Sequence, residues 1–236
     1  MQAAFAPTKS PLASLLWTRS MTAPHHPYLE HARSGRCLTF ADTCQATDRW
    51  ASLLDDLQVP PGAVVGLAAS DPLDFAVVFL GVIAAERVVA PLDPGAPDAE
   101  LVAACARLGV AVVFADRPCP AEAGADWVVL PPGMFDLPGG AVGRAGGTRS
   151  EVGSGGLLLA TSGTTGTPKR IRLSDDQLLH TAGAVAGHHR LSAADRGFCP
   201  LPLFHVNAEV VGLLAALVAG SALVLDDRFH RTGFWD

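Results

Sequence analysis

The sequence has no apolar run long enough to cross a membrane and no recognisable export signal. Its most apolar stretch, 75–85, stops at Glu86 and Arg87, far short of the roughly 20 residues that a membrane helix needs. The first residues lack a basic start ahead of an apolar segment and include Pro7 and Pro11, which is not typical of a signal peptide. We therefore expect neither a membrane span nor a signal peptide.

Basic charge is also scarce. The chain has 17 Lys and Arg against 23 Asp and Glu, and its formal net charge is −6. Surfaces that neutralise a nucleic-acid backbone need clustered basic residues, so we expect no nucleic-acid partner. Because 49% of the 236 residues are hydrophobic, the chain is not disordered and can bury a large core in one or two domains.

Cysteines are few and unpatterned. The five cysteines are odd in number and form neither a Cys-x-x-Cys pair nor a zinc-type spacing with histidine. We expect them to pack as small apolar groups in a reducing, cytoplasmic compartment, and we expect no metal site built from them. They are Cys37, Cys44, Cys105, Cys119 and Cys199.

Short apolar strands alternate with helical segments along most of the chain. For example, Asp71 followed by Pro72 is a typical helix start, and Ser174 with Gln177 predicts a capping box. This alternation predicts an α/β fold with mostly parallel sheets flanked by helices. Strands are predicted at 63–69, 88–91, 110–114, 157–160, 170–173, 198–203 and 222–225, and helices at 40–57, 72–86, 98–108, 175–188 and 207–219.

A stretch rich in glycine and proline, 131–156, interrupts this pattern. Such composition is typical of a surface connection, and we expect it to link two halves of the sheet system. The predicted organisation is a first α/β subdomain at 1–135, a linker at 136–156 and a second α/β segment at 157–236.

The segment 161–169 has the composition of a polyphosphate-binding loop. Glycines let successive N–H groups converge on an anion, hydroxyls add donors, and the lysine adds a positive charge. A Gly/Thr-rich hairpin turn with an exposed lysine is the alternative. The candidate phosphate-binding residues are Thr161, Ser162, Gly163, Thr164, Thr165, Gly166 and Lys169.

Other nucleotide and hydrolase signatures are missing. The loop of the nucleotide hydrolases needs Gly-x-x-x-x-Gly-Lys-Ser/Thr before a helix, whereas here Pro168 precedes the lysine and strands are predicted on both sides. No Gly-x-Gly-x-x-Gly, Gly-x-Ser-x-Gly or His-Glu-x-x-His occurs, which disfavours a Rossmann-type oxidoreductase and gives hydrolases no support.

Two ordered motifs resemble a known family. LLLATSGTTGTPK, at 157–169, resembles the phosphate-loop signature of the adenylate-forming superfamily, and PLFHVNAEVVGLLAALVAG, at 202–220, resembles the substrate-side motif of its acyl-CoA synthetase branch. Weaker resemblance covers nearly the whole chain. The resemblance implies the fold of an adenylate-forming N-terminal domain, here incomplete, and an activity that joins a carboxylic acid to ATP and then to coenzyme A, with Mg²⁺.

The same resemblance assigns the substrate side. It implies that Phe204, His205 and Asn207 contact the acid, with His205 in a catalytic, positioning or gating role. His205 stands where amino-acid-activating relatives usually carry an aspartate, which favours an acid without an α-amino group. A histidine merely hydrogen-bonded at a strand end remains the alternative. The chain departs from the family at Arg170 and Ala208, each of which replaces a usual glycine; we expect Arg170 to be a solvated strand residue.

Family members are typically more than twice as long, so we expect this chain to be an N-terminal portion with little or no ligase activity of its own. We also expect an open sheet edge that favours a homo-oligomer. The rival hypothesis is a non-catalytic module that keeps the fold to bind a nucleotide, an acyl group or a partner protein.

Overall fold

The computed structural model describes residues 10–130, 155–161 and 169–229. The helices are α1 (Pro11–Thr22), α2 (Phe40–Asp56), α3 (Pro72–Ala84), α4 (Asp98–Leu108), α5 (Asp175–His189), a π-helical segment (Ala208–Leu214) and α6 (Ala215–Ala219). The strands are β1 (Pro27–His31), β2 (Cys37–Thr39), β3 (Val64–Ala68), β4 (Val88–Pro91), β5 (Val110–Ala115), β6 (Asp126–Val129), β7 (Gly156–Thr161), β8 (Lys169–Ser174), β9 (Arg196–Cys199) and β10 (Ala222–Leu225).

The predicted helix starts are confirmed. Asp71 accepts hydrogen bonds from the N–H groups of Leu73 and Asp74, and Pro72 occupies the first turn of α3, where its missing N–H costs nothing. Ser174 and Gln177 form a full capping box at α5. These local bonds fix where each helix begins without help from the rest of the chain.

The strands form two sheets. The six-stranded sheet has the order β6-β5-β3-β4-β7-β8 and the four-stranded sheet the order β2-β1-β10-β9. Among the strands of the described residues, β7–β8 and β1–β2 are the antiparallel pairs and the rest are parallel, so the prediction of mostly parallel sheets is confirmed. Each sheet takes strands from both sides of 136–156, so that stretch does not divide one sheet from the other; the subdomain boundaries themselves stay a prediction.

Helix α3 forms the centre of the core. It contacts β3 and β4 of the larger sheet and β1 of the smaller one, and all of its residues from Pro72 to Ile83 are buried. A helix that is apolar on nearly every side, with Asp74 in its first turn as the exception, suits this position between two sheets. Its Gly81 allows a close approach, because an added β-carbon would lie 2.6 Å from that of Trp50.

Two predicted elements differ from the structure. The strand predicted at 198–203 is β9, Arg196–Cys199, since the chain turns after Pro200. The helix predicted at 207–219 is π-helical over Ala208–Leu214 and is not buried all round, because Val211 is 48% exposed. Helix α1 and strands β1, β2 and β6 were not predicted, because each is short or lacks a clear apolar period.

Among the residues that the structure describes, none of the helices combines the length and apolar character that a bilayer crossing requires.

Candidate functional site

The predicted phosphate loop is anchored at the carboxyl edge of the larger sheet. Strand β7 runs parallel to β4, so both strands end at the same edge, where open α/β sheets usually bind ligands. Thr161 ends β7 and is paired with Lys169 at the start of the antiparallel β8. The segment between them therefore joins two strands, unlike the loop of the nucleotide hydrolases. The predicted loop residues Ser162, Gly163, Thr164, Thr165 and Gly166 lie outside the described residues.

Lys169 and Arg170 are both exposed, and their side chains project from opposite faces of the sheet. Consecutive residues of a strand project to opposite faces, and Arg170 is paired with Ala160. The Nη1 of Arg170 donates to the carbonyl of Arg107, 3.4 Å away at the end of α4. Arg170 is thus the exposed strand residue that was expected, and it does not accompany Lys169.

A cavity of about 470 Å³ lies at this edge. It is lined by Leu92 and Asp93 after β4, by the last part of β7 and by α4. Ala160, next to the predicted loop, and Phe204, from the second motif, both line it. The fold therefore brings the two sequence motifs to one cavity.

The second motif lies at the start of the helix that contains the π segment. Phe204 is half-buried, and its ring centroid is 4.4 Å from that of His205. His205 is exposed, and its carbonyl accepts hydrogen bonds from the N–H groups of Ala208 and Glu209 at 2.9 and 3.3 Å. Asn207 lines a different space from Phe204, a groove of about 620 Å³ between β9 and the π-helical segment.

Charged side chains tie the β1–β2 turn to the same end of the molecule. Arg33 donates to Asp226 at 3.0 Å and to Asp227 at 2.7 Å, just after β10. Arg36 bonds to Asp71, the cap of α3. A small cavity of about 180 Å³ is lined by Phe204, Asp226 and Asp227. The ion pairs of Arg33 therefore hold in place the side of this cavity that faces Phe204 of the second motif.

Glu209 is a buried carboxyl group that the sequence did not single out. Its side chain is fully buried, and neither carboxyl oxygen has a hydrogen-bond partner among the described residues. Burial raises its pKa well above the ordinary value, because a charged carboxylate is poorly solvated there. Burial depends on tertiary packing, so no pattern in the sequence could have indicated this.

The described residues contain no group of three or more His, Cys, Asp or Glu side chains arranged to hold a metal ion. All five cysteines are free thiols.

The fold is that of an adenylate-forming N-terminal domain. The chain matches the AMP-binding enzyme family over 16–144 and 151–236, and it belongs to that family. The sequence resemblance to the adenylate-forming superfamily is thereby confirmed, and the relatives and solved structures described next support its acyl-CoA synthetase branch.

Several curated relatives are named CoA ligases. A sulfoacetate–CoA ligase from Cupriavidus necator is 32% identical over 238 residues, covering 95% of this chain and 46% of the relative. An oxalate–CoA ligase from Arabidopsis thaliana is 30% identical over 216 residues, covering 84% and 42%. The chain thus spans about half the length of the curated relatives it matches.

Solved structures share the fold. The inhibitor-bound N-terminal domain of FACL13 from Mycobacterium tuberculosis superposes with a TM-score of 0.77 at 21% identity, over 96% of this chain and 59% of that one. The O-succinylbenzoate coenzyme A synthetase MenE from Bacillus subtilis, in complex with AMP, gives 0.75 at 20% identity, over 92% and 56%.

Proposed function

We propose that this chain is the N-terminal part of an ATP-dependent acyl-CoA synthetase. The observation that carries the proposal is the cavity at the carboxyl edge, which is lined both by Ala160 beside the predicted phosphate loop and by Phe204 of the substrate-side motif. An enzyme that joins a nucleotide to an acid needs the two binding regions to meet in this way.

The proposed reaction has two steps. A carboxylate oxygen of the acid attacks the α-phosphorus of ATP, the bond to pyrophosphate breaks, and an acyl-adenylate forms. The thiol of coenzyme A then attacks the acyl carbon and loses its proton as AMP leaves. In the first step negative charge grows on the departing pyrophosphate, and Lys169 with the hydroxyls of the predicted loop would stabilise it.

The second motif would hold the acid. Phe204 would form a wall between nucleotide and acid, and Asn207 would face the acid's tail. His205, exposed between them, would position the carboxylate or gate its access. A histidine provides no fixed negative charge to pair with an amine, which favours an acid without an α-amino group.

Mg²⁺ would neutralise charge on the phosphates when bound. The described residues offer no cluster of carboxylates for it, so we assign it no ligand here.

Two further properties are part of the proposal. Free thiols at all five cysteines fit a reducing compartment such as the cytoplasm. Among the described strands, β9 is an edge of the four-stranded sheet, and its own Phe198 is 46% exposed, which would favour self-association.

Acid-dependent exchange of labelled pyrophosphate into ATP tests the function in the whole protein. We expect exchange in the wild type and its collapse after Thr164→Val with Thr165→Val, because two donors to the phosphates are lost. For the 236-residue chain alone, we expect weak ATP binding in isothermal titration and no thioester formation. Nucleotide binding by a whole protein that never exchanges pyrophosphate would instead favour the non-catalytic module.

A further inference from the structure

The six-stranded sheet has two edge strands of opposite charge. Among the described strands, β8 forms one edge of this sheet and β6 forms the other. Strand β8 contains no acidic residue, and neither β6 nor the five residues before it contain a basic one. The charged residues are all exposed. They are Lys169, Arg170 and Arg172 on β8, and Glu122 and Asp126 at β6.

Each of the two edges also exposes a large apolar side chain. Val129 on β6 is 54% exposed and Ile171 on β8 is 43% exposed. An edge strand that exposes apolar side chains favours pairing with a further strand. Like charges opposite each other destabilise a strand pair, so two β8 edges would repel each other. An edge of one sign facing an edge of the other sign attracts instead.

The backbone groups of both edges are directed outwards. The N–H of Ser174 donates to the side chain of Gln177 at 2.9 Å and not to β7. Arg172, two residues earlier on the same strand, has the same backbone direction, away from β7. On β6, the N–H of Leu130 donates to the carbonyl of Ala115 on β5 at 2.6 Å. The backbone groups of the preceding residue, Val129, therefore point away from β5.

One face of the sheet would bring a cation to an aromatic ring. Strand β6 runs parallel to β5, whereas β8 runs antiparallel to β7, so copies in the same orientation would pair β6 with β8 antiparallel and keep the faces of the sheet. Trp127 packs against the apolar cluster that contains Leu158, and Leu158 is paired with Arg172. Trp127 and Arg172 thus share one face, where a guanidinium is attracted to an indole ring.

The other face would bring together an apolar pair and an ion pair. Val128 packs against the same core as Leu159, and Leu159 is paired with Ile171. Because alternate residues of a strand share a face, Asp126 lies on the face of Val128, and Lys169 lies on the face of Ile171. The two edges therefore complement each other on both faces of the sheet.

We infer that β6 of one copy of this chain pairs with β8 of a second copy, so that the six-stranded sheet continues from copy to copy. The contact joins two different surfaces, and such a contact does not close at the dimer. It differs in this respect from the self-association proposed through β9, which would join like edges. Since β6 has only four residues, the interface is small, and we expect the assembly to depend on concentration.

Sedimentation equilibrium of the 236-residue chain tests the inference with two proline variants. Arg172→Pro removes an outward N–H from β8, and Val129→Pro removes one from β6; neither N–H belongs to the ladder inside the sheet. We expect the mass of the wild type to rise beyond that of a dimer with concentration, and each variant to remain monomeric. Circular dichroism checks that both variants fold.

An equal mixture of the two variants gives the decisive result. Arg172→Pro offers only its β6 edge and Val129→Pro only its β8 edge, so the mixture should reach the mass of a dimer and stop there. A monomeric wild type, a monomeric mixture, or single variants that associate as the wild type does would overturn the inference; the last result would favour β9.

Asp126→Lys tests the charge complementarity without a proline. It places a like charge on the face of Lys169, and we expect the association to weaken about fivefold or more. Asp56→Lys, at an exposed position of α2, makes the same change in net charge and should associate as the wild type does. Equal weakening in both variants would show that net charge governs the association, and would overturn the pairing of these edges.

These outcomes are distinct from a failure of the proposed function. A protein that assembles through β6 and β8 but never exchanges pyrophosphate would support this inference and overturn the synthetase. Exchange by a protein whose 236-residue chain stays monomeric would support the synthetase and overturn this inference.

Discussion

Thr161 and Lys169 are directly paired across the antiparallel strands β7 and β8. The two ends of the predicted phosphate loop are therefore held together by the sheet itself. A loop closed in this way loses less conformational freedom when it binds an anion than one between distant elements does.

Lys169→Ala should weaken the binding of ATP by about 1.5 to 3 kcal/mol, the value of a charge-assisted hydrogen bond. Isothermal titration of the whole protein measures this. Arg49→Ala is the control for loss of one positive charge, because Arg49 is exposed on α2, outside β7 and β8, and its removal should leave the affinity unchanged. Equal losses in both variants would mean that Lys169 acts through general electrostatic attraction and makes no specific contact with the phosphates.

Gly156→Ala should destabilise the fold by about 2 kcal/mol or more. An added β-carbon would overlap the backbone carbonyl oxygen of Leu173 on β8, and a backbone atom cannot swing aside as a side chain can. Urea unfolding followed by circular dichroism gives the free energy. Gly183→Ala on α5 has open space around it and should instead stabilise by about 0.5 to 1 kcal/mol. A neutral Gly156→Ala would contradict the close approach of β7 and β8.

Glu209 should make stability fall as the pH rises. Its pKa is raised by burial, so above the ordinary glutamate pKa of about 4.3 the unfolded chain releases a proton that the folded chain retains. The free energy of unfolding then decreases by at most about 1.4 kcal/mol per pH unit until the raised pKa is reached.

Glu209→Gln should remove that slope, because the amide does not titrate. Unfolding free energies between pH 4 and 8 measure it. Glu100→Gln, at an exposed position of α4, should leave the slope as in the wild type. A wild-type stability that rises over this range, with no change in Glu209→Gln, would show that the carboxyl finds a partner in solution.

Tyr28→Phe should cost about 1 to 3 kcal/mol of unfolding free energy. The buried Tyr28 hydroxyl donates to the carbonyl of Leu213 at 2.9 Å, within the π-helical segment, and the variant leaves that carbonyl without this donor. Chemical denaturation compares the two proteins. Identical midpoints and slopes would mean that water replaces the lost hydroxyl.

The sequence predicted most of the fold where local bonds determine it. The start of α3 follows from Asp71 and Pro72, and the start of α5 from Ser174 and Gln177, since these residues satisfy the first N–H groups of their own helices. Strand β1 was not predicted, because its identity depends on pairing with β2 and the distant β10. The π-helical geometry of Ala208–Leu214 likewise has no sequence signal, because its apolar spacing also fits an α-helix.

The candidate site was predicted mainly from the resemblance of two motifs to a known family, and less from hydrophobic or charge patterns. The motifs assigned Lys169, Phe204 and Asn207, and the structure adds that Phe204 and Asn207 line different spaces. The burial of Glu209 depends on how the π-helical segment packs against its neighbours. Such relationships between residues on separate elements are not encoded in any local spacing.

The parallel pairing of β1 with β10 has a consequence for biosynthesis. Arg33, just after β1, bonds to Asp226, which is 193 residues further along the chain. At a translation rate of about 5 to 20 residues per second, the ribosome delivers that partner roughly 10 to 40 s later. Until β10 is synthesised, the edge of β1 that pairs with it has no partner strand. We therefore expect chaperones to bind the nascent chain during most of its translation.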